Sequence, residues 1–299
     1  MNALLRSTNP MAARLGALAS EALRVELALD PKPGLVTPTR RGSHADMDHT
    51  TFAASIAALD AYFVDCAALG AAGANFAELR ERAIVAEKEM LAATGGVNTH
   101  KGAIFTLGLL TAAAGWRAAH QPVAPTASLG KIVGRLWGAA LVAHGTQMPS
   151  HGPLSNGQRA RLLHSVPGAR EHAAAGFPTL FTITLPALRQ AMSRAAGPDS
   201  AGLHALLTTM AVLPDTNLVH RGGPDGLLWA QQASERFVAE GSIFVPGWQR
   251  KLERLALQFE ARWLSPGGSA DLLSAAWFVH RLETTAPATS RTDAARCLA

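Results

Sequence analysis

The stretch on which the fold class turns is Phe181-Thr182-Ile183-Thr184-Leu185-Pro186, "FTITLP". Apolar and polar residues alternate through it, and β-branched side chains are frequent, so it is the best strand candidate in the chain. It is also short, and no other alternation lasts long enough to demand a sheet. The stretch is therefore expected inside a helix over 178–195, with Pro186 as the site of a kink. The chain reads as all-α: one compact multi-helix domain over 1–299, with its active-site loops at helix ends.

Outward from that stretch, helical signals dominate. Apolar residues at helical spacing cover 11–29 and stop at Asp30-Pro31-Lys32-Pro33-Gly34, where prolines and a glycine open a loop. Thr50 or Thr51 is expected to cap a helix reaching 69, and "NFAE" at 75–78 has the shape of a capping box opening the next, which ends at Thr94-Gly95-Gly96. Further helices are expected over 98–119, 126–143, 155–166, 200–213, 226–239, 246–264 and 269–282. A tail rich in Ala, Thr and Ser follows from about 284 and is expected to fray.

Of the 299 residues, 48% are hydrophobic and 16% charged, which supplies a sizeable core and argues against disorder. The formal net charge of +5 is a mild excess that suits anionic small molecules. Its basic residues are scattered, with no run of five, so no nucleic-acid footprint is expected. Two distant cysteines, Cys66 and Cys297, imply neither a disulfide framework nor a zinc site, and a cytoplasmic location is the default. The apolar patches near the N-terminus are split by Arg6, Pro10 and Arg14, unlike a secretory signal. The apolar run 102–116 is shorter than a membrane span and reads as a buried helix, so no membrane partner is expected.

The loops hold the unusual residues. "GSHADMDH" at 42–49 places two carboxylates and two imidazoles within eight residues. Asp46 and Asp48 would repel by about 4 kcal/mol if about 4 Å apart at an effective dielectric near 20, and a divalent cation removes that cost. Oxygen ligands point to Mg²⁺ or Ca²⁺. The calcium-hand pattern fails, because Thr51 stands where it needs glycine and Ala57 where it needs glutamate, which leaves Mg²⁺ with a phosphate ligand. "GGVNTHKGAIF" at 95–105 leads Asn98, Thr99, His100 and Lys101 into an apolar helix, a setting that attracts anions. "PDTNLVHRGGPDG" at 214–226 holds Asp215, a metal ligand or general base, with Asn217, His220 and the guanidinium of Arg221. In "LSPGGSADLL" at 264–273, Ser269 and Asp271 read as helix-cap and first-turn residues. Together these loops supply what a polyphosphate substrate needs: a metal, cationic clamps and an acid/base pair.

The same stretches carry a resemblance. "PKPGLV" at 31–36, "GSHADMDHTTF" at 42–52, "GVNTHKGAIFTLG" at 96–108, "DTNLVHRGG" at 215–223 and "SPGGSADLL" at 265–273 resemble the triphosphoribosyl-dephospho-CoA synthase family, in its order and across most of the chain. "RGSHADMD" is more similar to the malonate decarboxylase branch than to the citrate lyase branch. The resemblance implies an all-α transferase. It would convert ATP and 3′-dephospho-CoA to 2′-(5″-triphosphoribosyl)-3′-dephospho-CoA and adenine. A separate transferase would attach that product to an acyl carrier subunit. On this reading Asp46 and Asp48 bind Mg²⁺, with Asp215 as third ligand or base. Lys32, Lys101 and Arg221 clamp phosphates, with Asn98, Thr99 and Asn217 beside them. His44, His100 and Glu26 are acid/base candidates, and a homodimer is left open. A rival enzyme reading is an ADP-ribosylglycohydrolase-like, Mg²⁺-dependent N-glycoside hydrolase; a rival from another class is a basic nucleic-acid-binding or scaffold protein.

Overall fold

The alternating stretch is helical. In the computed structural model Leu180–Thr184 forms one π-helical turn, closed by the Leu185 N–H on the Leu180 carbonyl, and runs directly into the helix Leu185–Ser193. The wider turn sets Pro186, which has no N–H to give, in the first turn of that helix, where none is needed. Thr184 is buried and accepts a hydrogen bond from the Thr209 hydroxyl, so the strand-like pattern packs as helix against helix.

The structure describes residues 9–121, 128–146, 168–194 and 196–285. Among them are eleven α-helices and no strand. These are α1 (Pro10–Ala28), α2 (His49–Ala71), α3 (Phe76–Ala93), α4 (Lys101–His120), α5 (Leu129–Thr146), α6 (Ala169–Ala174), α7 (Leu185–Ser193), α8 (Pro198–Met210), α9 (Thr216–Ala239), α10 (Trp248–Ala261) and α11 (Gly267–Thr284). Asn9 caps α1, and full capping boxes open α2 (Asp48 with Thr51) and α3 (Asn75 with Glu78).

Helix α4 lies at the centre, buried on nearly every side, with α2, α11 and α1 around it. Small residues let α2 and α4 touch backbone to backbone. A Cβ on Gly70 would run into the Ala112 carbonyl, and one on Gly115 into that of Ala67. Helix α2 is long and apolar enough to cross a membrane by length and composition, with a mean hydropathy of 1.5. Yet Ile56, Leu59, Tyr62 and Phe63 are buried in the core, and so is Asp65, paired with Arg82 of α3 at 2.7 Å. It is a core helix that passes the same test.

Several expected boundaries move. The helix expected from 98 starts at Lys101, because Asn98 turns back to accept the Lys101 N–H. The loop expected before 226 is instead the start of α9, capped by Asp215. Gly223 (φ 64°, ψ −169°) leaves helical backbone and divides α9 into two helical segments, the second opening on Pro224 close to the start expected at 226. The helix expected over 246–264 is Trp248–Ala261, and that over 269–282 is Gly267–Thr284. The helix expected over 155–166, the start expected at 126 and the tail beyond 285 lie outside the described residues.

Candidate active site

The loop 29–48 leaves α1 and folds onto the corner between α10 and α11. The Ser43 hydroxyl donates to the Leu264 carbonyl at 2.7 Å, and Gly34 (φ 70°) passes so close to that carbonyl that no side chain fits. The fold thus brings the loop's ionisable groups to the N-terminal ends of α4, α9 and α11.

Behind this corner lies a buried ion pair. Lys32 Nζ donates to both the side-chain Oε1 and the backbone carbonyl of Glu26, each at 2.7 Å. Burial lowers the lysine's hold on its proton, and the Glu26 carboxylate opposes that. Two of the three Lys32 N–H groups are thus directed at Glu26.

Asp215 bridges two helices. Its Oδ1 accepts the Asn217 N–H at 2.9 Å as the cap of α9, and its Oδ2 accepts the Ser269 N–H at 2.9 Å and hydroxyl at 3.1 Å in the first turn of α11. Gly268 leaves room for this carboxylate and Gly267 for the Asn217 amide. Burial pushes the Asp215 carboxyl up, and these donors pull it back.

Asp271, read from the sequence as a first-turn residue, is the chemically exposed acid of the group. It is half-buried, and among the described residues it has no hydrogen bond or ion pair. Burial, followed by the charges of Asp215 and Glu26, pushes its carboxyl well above the ordinary carboxylate range. Gly102, in the first turn of α4, gives it space: a Cβ there would collide with Asp271 Oδ2. The signal in the sequence was an acid directly before the apolar run "LLSAAWFV", where no charge belongs without a reason.

Thr99 donates to the Ser55 hydroxyl, which lies 2.7 Å from His100 Nδ1. Ser55 Oγ thus links Thr99 to His100 Nδ1, leaving Nε2 as the ring's other nitrogen. That Nε2 is buried and has no partner. Burial and the nearby Lys32 charge lower the imidazole to about 3, so it is neutral at physiological pH.

At the rim, Arg221 donates to His44 Nδ1 at 3.0 Å and to the carbonyls of Ser43 and Trp263 at 2.6 and 3.1 Å. Because Arg221 cannot accept, His44 carries its proton on Nε2 and donates it to Ser265 Oγ at 2.9 Å. Burial and Arg221 lower His44 to about 4. Lys101 is exposed and paired with Glu87 at 2.8 Å.

The three expected metal ligands occupy different settings. Asp48 caps α2 and meets Arg41, and the hydroxyl of Thr50 and N–H of Thr51 hold its carboxyl well below the usual range. Asp215 is the helix bridge. Asp46 is 63% exposed, lies 4.0 Å from the neutral His44 at Nδ1, and feels the charge of Arg221. Among the described residues no three His, Cys, Asp or Glu side chains are arranged to hold an ion by themselves. Mg²⁺ shared with substrate phosphates needs only one or two protein carboxylates, and Asp46 meets that lesser demand. A cavity of about 340 Å³ between α5 and α6, flanked by Lys131 and Arg135, is lined by none of these residues.

A helical shell that sequesters an ion pair and leaves an acid without partners beside two helix N-termini has the frame of an enzyme. The chain belongs to the ATP:dephospho-CoA triphosphoribosyl transferase family, whose model (CitG) matches residues 12–290. It is similar to the probable 2-(5''-triphosphoribosyl)-3'-dephosphocoenzyme-A synthase of Acinetobacter calcoaceticus, at 38% identity over 91% of this chain and 92% of that one. It is also similar to the synthase of that name from Pectobacterium atrosepticum, at 40% identity over 89% and 88% of the two chains. A probable synthase from Vibrio cholerae is 36% identical over 90% and 88%. No solved structure matches the chain. The protein is thus a transferase.

Proposed function

We propose that the protein transfers the triphosphoribosyl group of ATP to the 2′-hydroxyl of 3′-dephospho-CoA, releasing adenine. The bond from the ribose C1 to adenine breaks and a bond from C1 to the 2′-oxygen forms. The hydroxyl gives up one proton and the departing adenine takes one up, so the reaction is proton-neutral overall. Positive charge builds on the ribose as the base leaves, as in glycoside cleavage.

One observation supports the site's part in this: a carboxylate without hydrogen bonds, Asp271, stands where α4 and α11 begin. On this reading Asp271 takes the proton of the attacking hydroxyl, a task suited to a carboxyl whose proton affinity burial has raised. Asp215 holds the first turn of α11, and with it Asp271, in place. Asp46 would hold Mg²⁺ together with the triphosphate. The ion would neutralise phosphate charge without promoting cleavage between phosphates. Arg41, 60% exposed, and Lys101 stand where they could exchange their present carboxylate partners for phosphate. The neutral His44 and His100 orient by hydrogen bonding rather than by carrying charge.

The finer setting follows from the same reading. The stretch "RGSHADMD" supports malonate decarboxylase as the user of the product, through a separate transferase acting on its acyl carrier subunit. The two-cysteine composition supports a cytoplasmic site of action. The test is incubation with ATP, Mg²⁺ and 3′-dephospho-CoA, followed by mass analysis. Adenine and the triphosphoribosylated product should appear together. Adenine released equally well without dephospho-CoA would instead identify a hydrolase.

A further inference from the structure

Helix α10 ends in a way that stability does not explain. At its C-terminus the Trp263 N–H donates to the Glu260 carbonyl and the Leu264 N–H to that of Phe259. This is the Schellman arrangement, whose left-handed residue is usually glycine. Four other helices of this chain use glycine there: Gly73 after α2, Gly95 after α3, Gly176 after α6 and Gly241 after α9, with φ between 66° and 102°. After α10 the residue is Trp263, with φ 55°. A bulky side chain at positive φ is an outlier that something must compensate.

Burial does not compensate it, because Trp263 is 59% exposed, the most exposed of the large hydrophobic side chains described. Among the described residues no aromatic ring or guanidinium stacks on it. The adjacent Arg262 guanidinium lies instead over Trp229, 4.2 Å from the ring centre. Its backbone, by contrast, is firmly held. Arg221 donates to the Trp263 carbonyl with the same Nη1 that reaches Ser43, and the next two residues meet the site loop through Ser43 and His44. The indole is thus a wide, bare aromatic face on a fixed backbone at the rim of the candidate active site.

We propose that Trp263 is a stacking platform for the adenine base of one of the two nucleotide substrates. Every adenine presents a π-face to such a platform, and stacking needs no hydrogen-bond readout. The inference rests on the function proposed above for the identity of the ligands, but its test does not depend on turnover. The strain at Trp263 is then the local cost of holding the ring outward, where the base can reach it.

The full-length protein should be titrated separately with Mg²⁺-ATP and with 3′-dephospho-CoA while indole emission is followed, alongside Trp263→Phe. One of the two nucleotides should quench emission in the wild type and lose that component in the variant. In kinetics, Trp263→Phe should keep KM for that nucleotide within about threefold. Trp263→Gly should raise it about tenfold, kcat changing less. Glycine suits the left-handed backbone, so the Gly variant is expected to remain folded. Emission from Trp263 that responds to neither nucleotide overturns the proposal, as does a Gly variant with both KM values unchanged. If the wild type binds nucleotide at Trp263 but releases no adenine, the function fails and the platform stands. If it turns over with Trp263 silent, the platform fails and the function stands.

Discussion

Asp215 accepts the backbone N–H of Ser269, 54 residues further along the chain, at 2.9 Å, while capping its own helix through Asn217. One carboxylate therefore serves the positive ends of α9 and α11 together. Asp215→Ala should strip donors from both helices at once. The expected loss is about 2–4 kcal/mol, from a lost cap and buried N–H groups left without acceptors. Urea denaturation checks this, and a loss below about 0.5 kcal/mol, the scale of ordinary surface changes, would contradict the bridging role.

Asp271 offers the opposite case, a carboxyl the fold does not stabilise. Asp271→Asn should lower the rate of adenine release by about 10²-fold or more, the usual worth of a general base. Its stability at pH 8 should be equal to or above that of the wild type. The sign follows from linkage: a carboxyl raised in the folded state costs stability once pH climbs past its unfolded value, and the amide carries no such cost. Steady-state rates and a urea titration at pH 8 measure both.

Gly102 separates propensity from geometry. An alanine inside a helix normally stabilises by about 0.5–1 kcal/mol relative to glycine. At this position its methyl group would meet Asp271 Oδ2, and the carboxylate must rotate away. Gly102→Ala should therefore fold with little change in stability yet lose most of its kcat. Normal turnover in this variant would remove Asp271 from the mechanism.

Three imidazoles should stay neutral in mild acid. His44 and His172 are lowered to about 4 and His100 to about 3, each mainly by burial. NMR of the ring protons should show these three unprotonated at pH 5. Each makes the folded state lose stability as pH falls from 6.5 toward its folded value, because the unfolded chain takes up the proton first. Asp215 and Asp271, both raised, act in the opposite sense as pH falls toward the ordinary carboxylate value. Asp271→Asn removes one of these opposing groups, so its stability should fall more steeply with acid than that of the wild type.

Much of the fold was legible in local residues. The capping box at Asn75 and Glu78 and the proline-rich stop after α1 are events within a few positions, and the helices begin and end accordingly. The chief misreading was also local: the residues just before Gly223 read as loop, but Asp215 caps a short helical segment there, and Gly223 and Pro224 separate it from the longer helix that follows. In the site, the motif segments were visible but the partners of each side chain were not. That Lys32 meets Glu26, and that Asp48 meets Thr50 and Arg41, no local pattern announces.

The sequence by itself determined an all-helical chain, its main breaks, and the segments whose chemistry carries the family. Periodicity, capping and glycine or proline punctuation act over one or two turns and can be read without neighbours. Only the tertiary structure decided that Asp215 would bridge two helices, that Asp271 would be left without donors, and that Trp263 would face outward from a strained turn. Burial and hydrogen-bond satisfaction depend on atoms that arrive from remote parts of the chain, and no local pattern records which groups those will be.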